Sequence, residues 1–455
     1  MAEGVELLGR YQGSGCREAP YLARRGDGGM LEISPLLHLV ASHLRTEQAL
    51  SDVAREVGGK LHRPITADDI AYLVEHKLEP LGLVRSPEGS RAAPAAAPML
   101  GLAVHTGVVP ARLVGAVSGL LRPLFAPAAI IVSLLGLTAV DARLLPGHGI
   151  GRHAHQLPFE PGWVLALIGL TLASGLFHEL GHATASRYGG AEPGRIGVGV
   201  YLIWPVFYND LNDSYRLNRA GRLRADLGGV YFNVVFILGL AAVYGLTGSA
   251  PLLVGIVIQH VAIAQQFLPF VRLDGYYVVS DVAGVPDLFG RIRPILASLV
   301  PGRQTGAEVA ALKPQARAAV TLWVLATVPL LVACLALLVL TLPALLVGAW
   351  QSTRVEGLLL ADAIRDGAPV RAALAGVQLL VLTVPFAGLT TLAVRVSTGG
   401  RRAIAHRRMR RPPTTRDAVV SEASPRPERG LFPSIAILAS ATKAALVPPR
   451  RYRAP

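Results

Sequence analysis

The string His178-Glu179-Leu180-Gly181-His182 carries the first chemical signal in the chain. Residues four apart lie one turn apart on the same face of a helix. Two imidazoles so placed can hold one zinc ion, and Glu179 beside them can accept a proton from an attacking water. The H-E-x-x-H pattern arises by chance in only about one or two per cent of chains this long, on rough residue frequencies. It also closes an apolar stretch, 162–188, that is long enough to cross a bilayer. A charged residue at membrane depth costs about 2.5–3.5 kcal/mol on insertion scales, so it is rarely there without a role. A buried soluble helix with two satisfied histidines is the weaker reading.

A hydrolytic zinc site takes a third protein ligand and keeps its fourth position open. Asp274 is the best third ligand. It follows the apolar run 251–271 in LPFVRLDGYYVVSD and reaches the same membrane depth as the two histidines. The alternative for Asp274 alone is a helix-terminal cap. His260 is less suitable, because fourteen residues of helix put it about 21 Å from Asp274.

Composition sets the frame for these residues. The chain has 455 residues, 52% hydrophobic and 16% charged, and its mean hydropathy is +0.45. Soluble domains average about 25% charged residues, so this is a membrane protein. Cys16 and Cys334 are far apart, which excludes a disulfide framework or a CxxC zinc site. The opening MAEGVELLGRYQ lacks the basic start and apolar core of a cleavable signal.

The expected architecture is a polytopic α-helical membrane protein of six spans with a small N-terminal winged-helix (α+β) domain. The spans are 123–140, 162–185, 226–247, 251–271, 319–347 and 372–395. Loops 141–161 and 348–370 carry two Lys+Arg each, loops 186–225 and 272–318 six each, and the tail thirteen. The positive-inside rule then places both termini in the cytoplasm and HELGH near the cytoplasmic end of its span. Segment 99–121, broken by Pro110 and Arg112, is expected to lie along the interface.

Residues 1–86 form the expected N-terminal domain. YLARRGDGGMLEIS predicts a hairpin around Gly26–Gly29. Three helices follow: PLLHLVASHL; a segment capped by Thr46 and closing at Gly58; and one capped by Thr66 that leads past Gly82 into a short strand. Residues 87–98 are an Ala/Pro-rich linker, 99–396 the membrane domain and 397–455 a basic tail suited to an anionic membrane face. Residues 1–98 carry 11 Lys+Arg against 13 Asp+Glu, which argues against nucleic acid as a partner. The stretch 197–218 predicts a hairpin at the membrane edge, to which an extended substrate could add as a strand. Asp210, Asn212 and Asp213 are expected to be solvated turn residues.

Two resemblances follow from these motifs. HELGH, then LDG some ninety residues later in another span, resembles the site-2 protease class of intramembrane metalloproteases over about residues 100–400. RLRADLGGVYFNVV is similar to that family's Gly-Pro-x-x-Asn segment, with Gly229 and Asn233 at the matching positions and Val230 in place of the proline. The N-terminal pattern is similar to PqqD-like domains, which bind the leader of a ribosomal peptide by strand addition to the hairpin edge. LDGYYVVSD is closest to a branch that joins such a domain and accompanies ribosomal peptide natural-product clusters.

The resemblance implies one Zn2+ per chain held by His178, His182 and Asp274, with Glu179 as catalytic base. Leu268 stands where that branch has an asparagine before Pro269, a candidate oxyanion donor, so Asn233, Gln265 and Gln266 are the substitutes. The function implied is maturation of a ribosomally made precursor peptide, with that peptide or a membrane protein as substrate and membrane lipids as surroundings. The alternatives are regulated proteolysis of a membrane-bound regulator, and a non-proteolytic scaffold or exporter.

Overall fold

A computed structural model of the chain describes residues 1–26, 29–44, 48–85, 105–144, 161–201, 204–380, 382–383, 386, 445–446 and 451–453. Three antiparallel strands come first: β1 (Glu6–Arg10), β2 (Tyr21–Arg24) and β3 (Met30–Ile33). β2 and β3 form the hairpin, in register from Tyr21↔Ile33 to Arg24↔Met30. α1 (Pro35–His43) starts where Ser34 accepts from the Leu37 amide, which satisfies one free N–H of the first turn. α2 (Leu50–Leu61) and α3 (Ala67–Leu73) follow. Thr66 and Asp69 form a reciprocal capping box at the start of α3. Leu31, Ile33, Leu37, Val40, Val53, Val57 and Ile70 make one apolar core beneath this sheet.

Two local expectations need correction. Thr46 lies outside the described residues, and α2 is capped at Ala49 and runs past Gly58 to Leu61, where His62 turns left-handed. Gly58 serves close packing rather than termination: a Cβ there would meet the Arg63 carbonyl at 2.8 Å. The short strand expected after Gly82 is a bend at Leu83 and Val84, and residues 86–104 lie outside the described part. Leu83 is buried in the core and its amide bonds to Leu78.

The rest of the described chain is mostly helical. β4 (His105–Val109) leads into α4 (Ala111–Leu121), too short to cross a bilayer, and α5 (Pro127–Leu144). α6 (Pro161–Tyr188) carries HELGH in its second half. β5 (Ile196–Tyr201) and β6 (Trp204–Asp210) form the expected hairpin, paired from Ile196↔Asn209 to Tyr201↔Trp204. α7 (Arg219–Asp226) is a separate short helix ahead of α8 (Gly228–Thr247). α9 (Ala250–Gln266) ends in a turn, and α10 (Asp274–Ala283) begins at Asp274 itself.

After α11 (Ile292–Ser298) comes α12 (Pro314–Arg365), a single helix of 52 residues. At 1.5 Å per residue it is about 78 Å long, far more than a bilayer core. The loop expected at 348–370 is therefore largely helix. Its Gln351, Arg354 and Glu356 belong to a continuation of the apolar segment, not to a break in it. α13 (Pro369–Leu380) is apolar but shorter; most of 381–395, the end of the expected sixth span, lies outside the described residues.

Among the described residues four helices are long and apolar enough to cross a membrane: α5, α6, α8 and α12. α9, at 17 residues, spans about 25 Å. Two short strands from the tail complete the sheets: β7 (Ala445–Leu446) pairs with β3, and β8 (Arg451–Arg453) pairs with β6. β4 covers the other side of β5. The hairpin edge expected to be open is thus flanked on both sides.

Candidate metal centre

α6 and α8 cross closely at Gly181 and Gly228. A Cβ on either glycine would run into the other's backbone carbonyl. This contact of small residues sets the two histidines of α6 against the first turn of α8. Opposite them, the turn between α9 and α10 brings in Asp274, whose neighbour Gly275 lies against Phe267 and the Gln266 carbonyl.

These elements converge on one buried cluster. His178 Nε2 and His182 Nε2 are 3.1 Å apart. Asp274 reaches both: Oδ2 lies 3.3 Å from His178 Nε2 and Oδ1 3.4 Å from His182 Nε2. The three candidate ligand atoms all lie within 4.8 Å of one another, and all three residues are buried.

The other ring nitrogens fix the tautomers. His178 Nδ1 lies 3.0 Å from Asn233 Oδ1, and His182 Nδ1 2.7 Å from the Ala225 carbonyl. A carbonyl oxygen can only accept, so each Nδ1 carries the proton and each Nε2 offers its lone pair inward. The Gly229 amide also approaches His182 Nδ1, at 3.3 Å. The shorter contact to a pure acceptor decides the proton's place. This pairing of an inward Nε2 with an outward hydrogen-bonded Nδ1 is how ligating histidines are held.

Gly229 completes the cradle. A side-chain carbon at that position would fall on the rings of both His178 and His182. Two neutral imidazoles and one carboxylate suit zinc by donor type, and the site is shaped to leave room for it. The residues present therefore fit a zinc ion.

Glu179 is fully buried next to His178, and its backbone carbonyl accepts from Asn209 Nδ2 on β6 at 3.1 Å. β6 is thus fastened directly to the HELGH helix.

The three expected oxyanion or substrate contacts separate. Asn233 is in the cluster: its Oδ1 accepts from His178, which orients the ring and leaves the donor role to its Nδ2. Gln266 is fully buried, and its amide makes no hydrogen bond among the described residues. Gln265 is exposed, because the helix turns that face away from the protein, and it does not belong to the centre. His260 stays apart and pairs with Asp141 at 3.1 Å. Asp213 is no plain solvated turn residue: it contacts Arg24, Arg216 and the Glu192 amide. The Ala225 carbonyl has no side-chain signature, so no sequence signal could have found it.

No family model matches the chain, and no solved structure matches it. One curated protein is similar: "Putative peptide zinc metalloprotease protein YydH" of Bacillus subtilis (strain 168), 24% identical over 119 residues. The match covers 26% of this chain and 47% of that protein, so the chain spans about half the length of the relative it matches. The likeness agrees with a zinc metalloprotease as a class, in a mostly helical protein with apolar helices suited to a membrane.

Proposed function

We propose that the chain is a zinc metalloendopeptidase of the site-2 protease type. It resides in the cell membrane with both termini in the cytoplasm, and matures a ribosomally made precursor peptide near the cytoplasmic leaflet. The observation that carries this reading is the buried cluster of His178, His182 and Asp274, with both Nδ1 atoms tied to acceptors.

His178 and His182 would hold zinc through Nε2, and Asp274 through its carboxylate. When bound, zinc supplies Lewis-acid chemistry for amide hydrolysis. Glu179 takes a proton from the attacking water and passes it to the departing amine. Asn233 and the Ala225 carbonyl keep both rings in the ligating tautomer. Gln266 and the Nδ2 of Asn233 are the candidate donors to a developing oxyanion.

β6 is the track along which an extended substrate would lie, in the place that β8 takes here. The small N-terminal sheet, read as a PqqD-like winged helix, would capture the leader at the β3 edge, in the place that β7 takes here. The exposed leucines of α12, among them Leu322, Leu335, Leu337 and Leu340, would face lipid.

The test uses the full chain in proteoliposomes with a tagged ribosomal precursor peptide as substrate. Glu179→Gln is expected to keep zinc and to lose cleavage by about 10²–10⁴-fold. Cleavage at the parent rate by that variant would remove the assignment.

A further inference from the structure

The loop between β1 and β2 does not stay with its own sheet. Residues 11–17 run as a strap across the far ends of α7 and α10 and the start of α12. Tyr11 Oη donates to Asp281 Oδ1 at 3.0 Å, and Arg222 Nε donates to the same oxygen at 2.9 Å. The Arg222 guanidinium stacks over the Tyr11 ring at 4.4 Å, and its other nitrogens reach the carbonyls of Leu217 and Gln12. All three side chains are buried, Arg222 and Asp281 completely.

The strap then knits on by its backbone. The Gly15 amide bonds to the Gly284 carbonyl, the Lys313 amide to the Gly15 carbonyl, and the Arg17 amide to the Ala311 carbonyl, each at 2.8 Å. Lys313 Nζ adds a contact to the Ser14 carbonyl at 2.9 Å. Gly284 sits at φ +67°, and a Cβ on it would strike the strap's backbone. Only glycine suits both that conformation and that approach.

The position of this cluster gives it meaning. Arg222 lies one turn before Ala225, whose carbonyl holds His182 Nδ1. Asp281 lies two turns after Asp274 on α10. The two short helices that present the acceptor and the carboxylate to the centre are therefore clamped together at Arg222–Asp281, and Tyr11 closes the clamp. A buried ion pair loses much of its attraction to desolvation unless further hydrogen bonds satisfy both groups. Here Tyr11 and the Gln12 carbonyl are among the groups that do so.

The geometry points to Tyr11 as a positioning residue for the metal centre. Acting through Arg222 and Asp281, it sets α7 against α10 and so fixes the reach between His182 and Asp274. The loop of the N-terminal sheet is thereby a structural part of the centre. This inference rests on the zinc reading proposed above.

The test is zinc affinity of the purified full chain in detergent, measured by chelator competition on Tyr11→Phe, Asp281→Asn, the double variant and Lys313→Ala. Tyr11→Phe removes one hydroxyl and keeps the ring, so folding, checked by far-UV circular dichroism, is expected to survive. Its zinc affinity should fall several-fold, and that of Asp281→Asn about 10–100-fold, the range for groups that orient ligands. The double variant should be no weaker than Asp281→Asn alone, because the Arg222–Asp281 ion pair through which the hydroxyl acts is then already lost. Lys313→Ala loosens the strap away from the clamp and should leave affinity unchanged. Unchanged affinity in folded Tyr11→Phe, independent losses in the double variant, or an equal loss in Lys313→Ala would overturn the inference. A parent chain that binds no zinc would instead refute the function proposed above.

Discussion

Asn233 and His178 come from different helices, and their side chains meet inside the protein: Oδ1 of the amide lies 3.0 Å from Nδ1 of the ring. That contact turns the opposite nitrogen of the ring toward His182 and Asp274. Replacing the amide should loosen the ring without removing a ligand. Asn233→Ala is expected to weaken zinc binding about 10–100-fold, whereas Asn233→Asp keeps an acceptor and should retain most of it. Chelator competition on the two variants checks this order.

Gly229→Ala adds one carbon where the rings of His178 and His182 already stand. The rings must move, so zinc binding should be lost, with about 1–3 kcal/mol of stability. Gly239 on the same helix has open space around it: a Cβ there would meet nothing within 4 Å. Gly239→Ala should leave zinc binding intact and not lower stability. Thermal unfolding and metal content of the two alanine variants decide the matter.

The hairpin, the helix cap at Thr66 and the shared face of His178 and His182 were legible because each follows from local periodicity or a short-range hydrogen bond. Asp274 was legible through its place after an apolar run. What stayed hidden depends on long-range contacts. The contact of Asn233 with His178 was hidden because its helix position says nothing about which partner its oxygen meets. Arg222 counted among six cations of a cytoplasmic loop, yet it is fully buried against Asp281 and under Tyr11. The length of α12 was missed because polar residues after a span look the same on a loop and on an exposed helix.

Glu32 on β3 provides a pH signal outside the candidate membrane helices. Burial pushes its carboxyl up to about 7, opposed by Arg291 and reinforced by Asp287. The unfolded chain releases this proton near its ordinary value of 4.5. Between these values the folded state holds more protons than the unfolded one, so stability falls as pH rises from about 4.5 to 7 and then levels. Glu32→Gln should flatten that part of the profile. Denaturant unfolding at pH 5 and pH 7.5 reads the slope, and an equal slope in both proteins would contradict it.

β8 shields one side of β6. Deleting residues 445–455 should therefore speed amide exchange across Tyr208–Asp210 and leave α6 protected. Hydrogen exchange by mass spectrometry measures both segments in one experiment, and unchanged β6 protection would show that the tail strand adds nothing there.

The proposed chemistry stands or falls on the metal. Zinc content per chain, measured by inductively coupled plasma mass spectrometry on the purified parent, His178→Ala and Asp274→Ala, tests it most directly. The expected result is close to one zinc per parent chain and little or none in either variant. A metal-free parent, or variants that keep the parent's zinc, would contradict it.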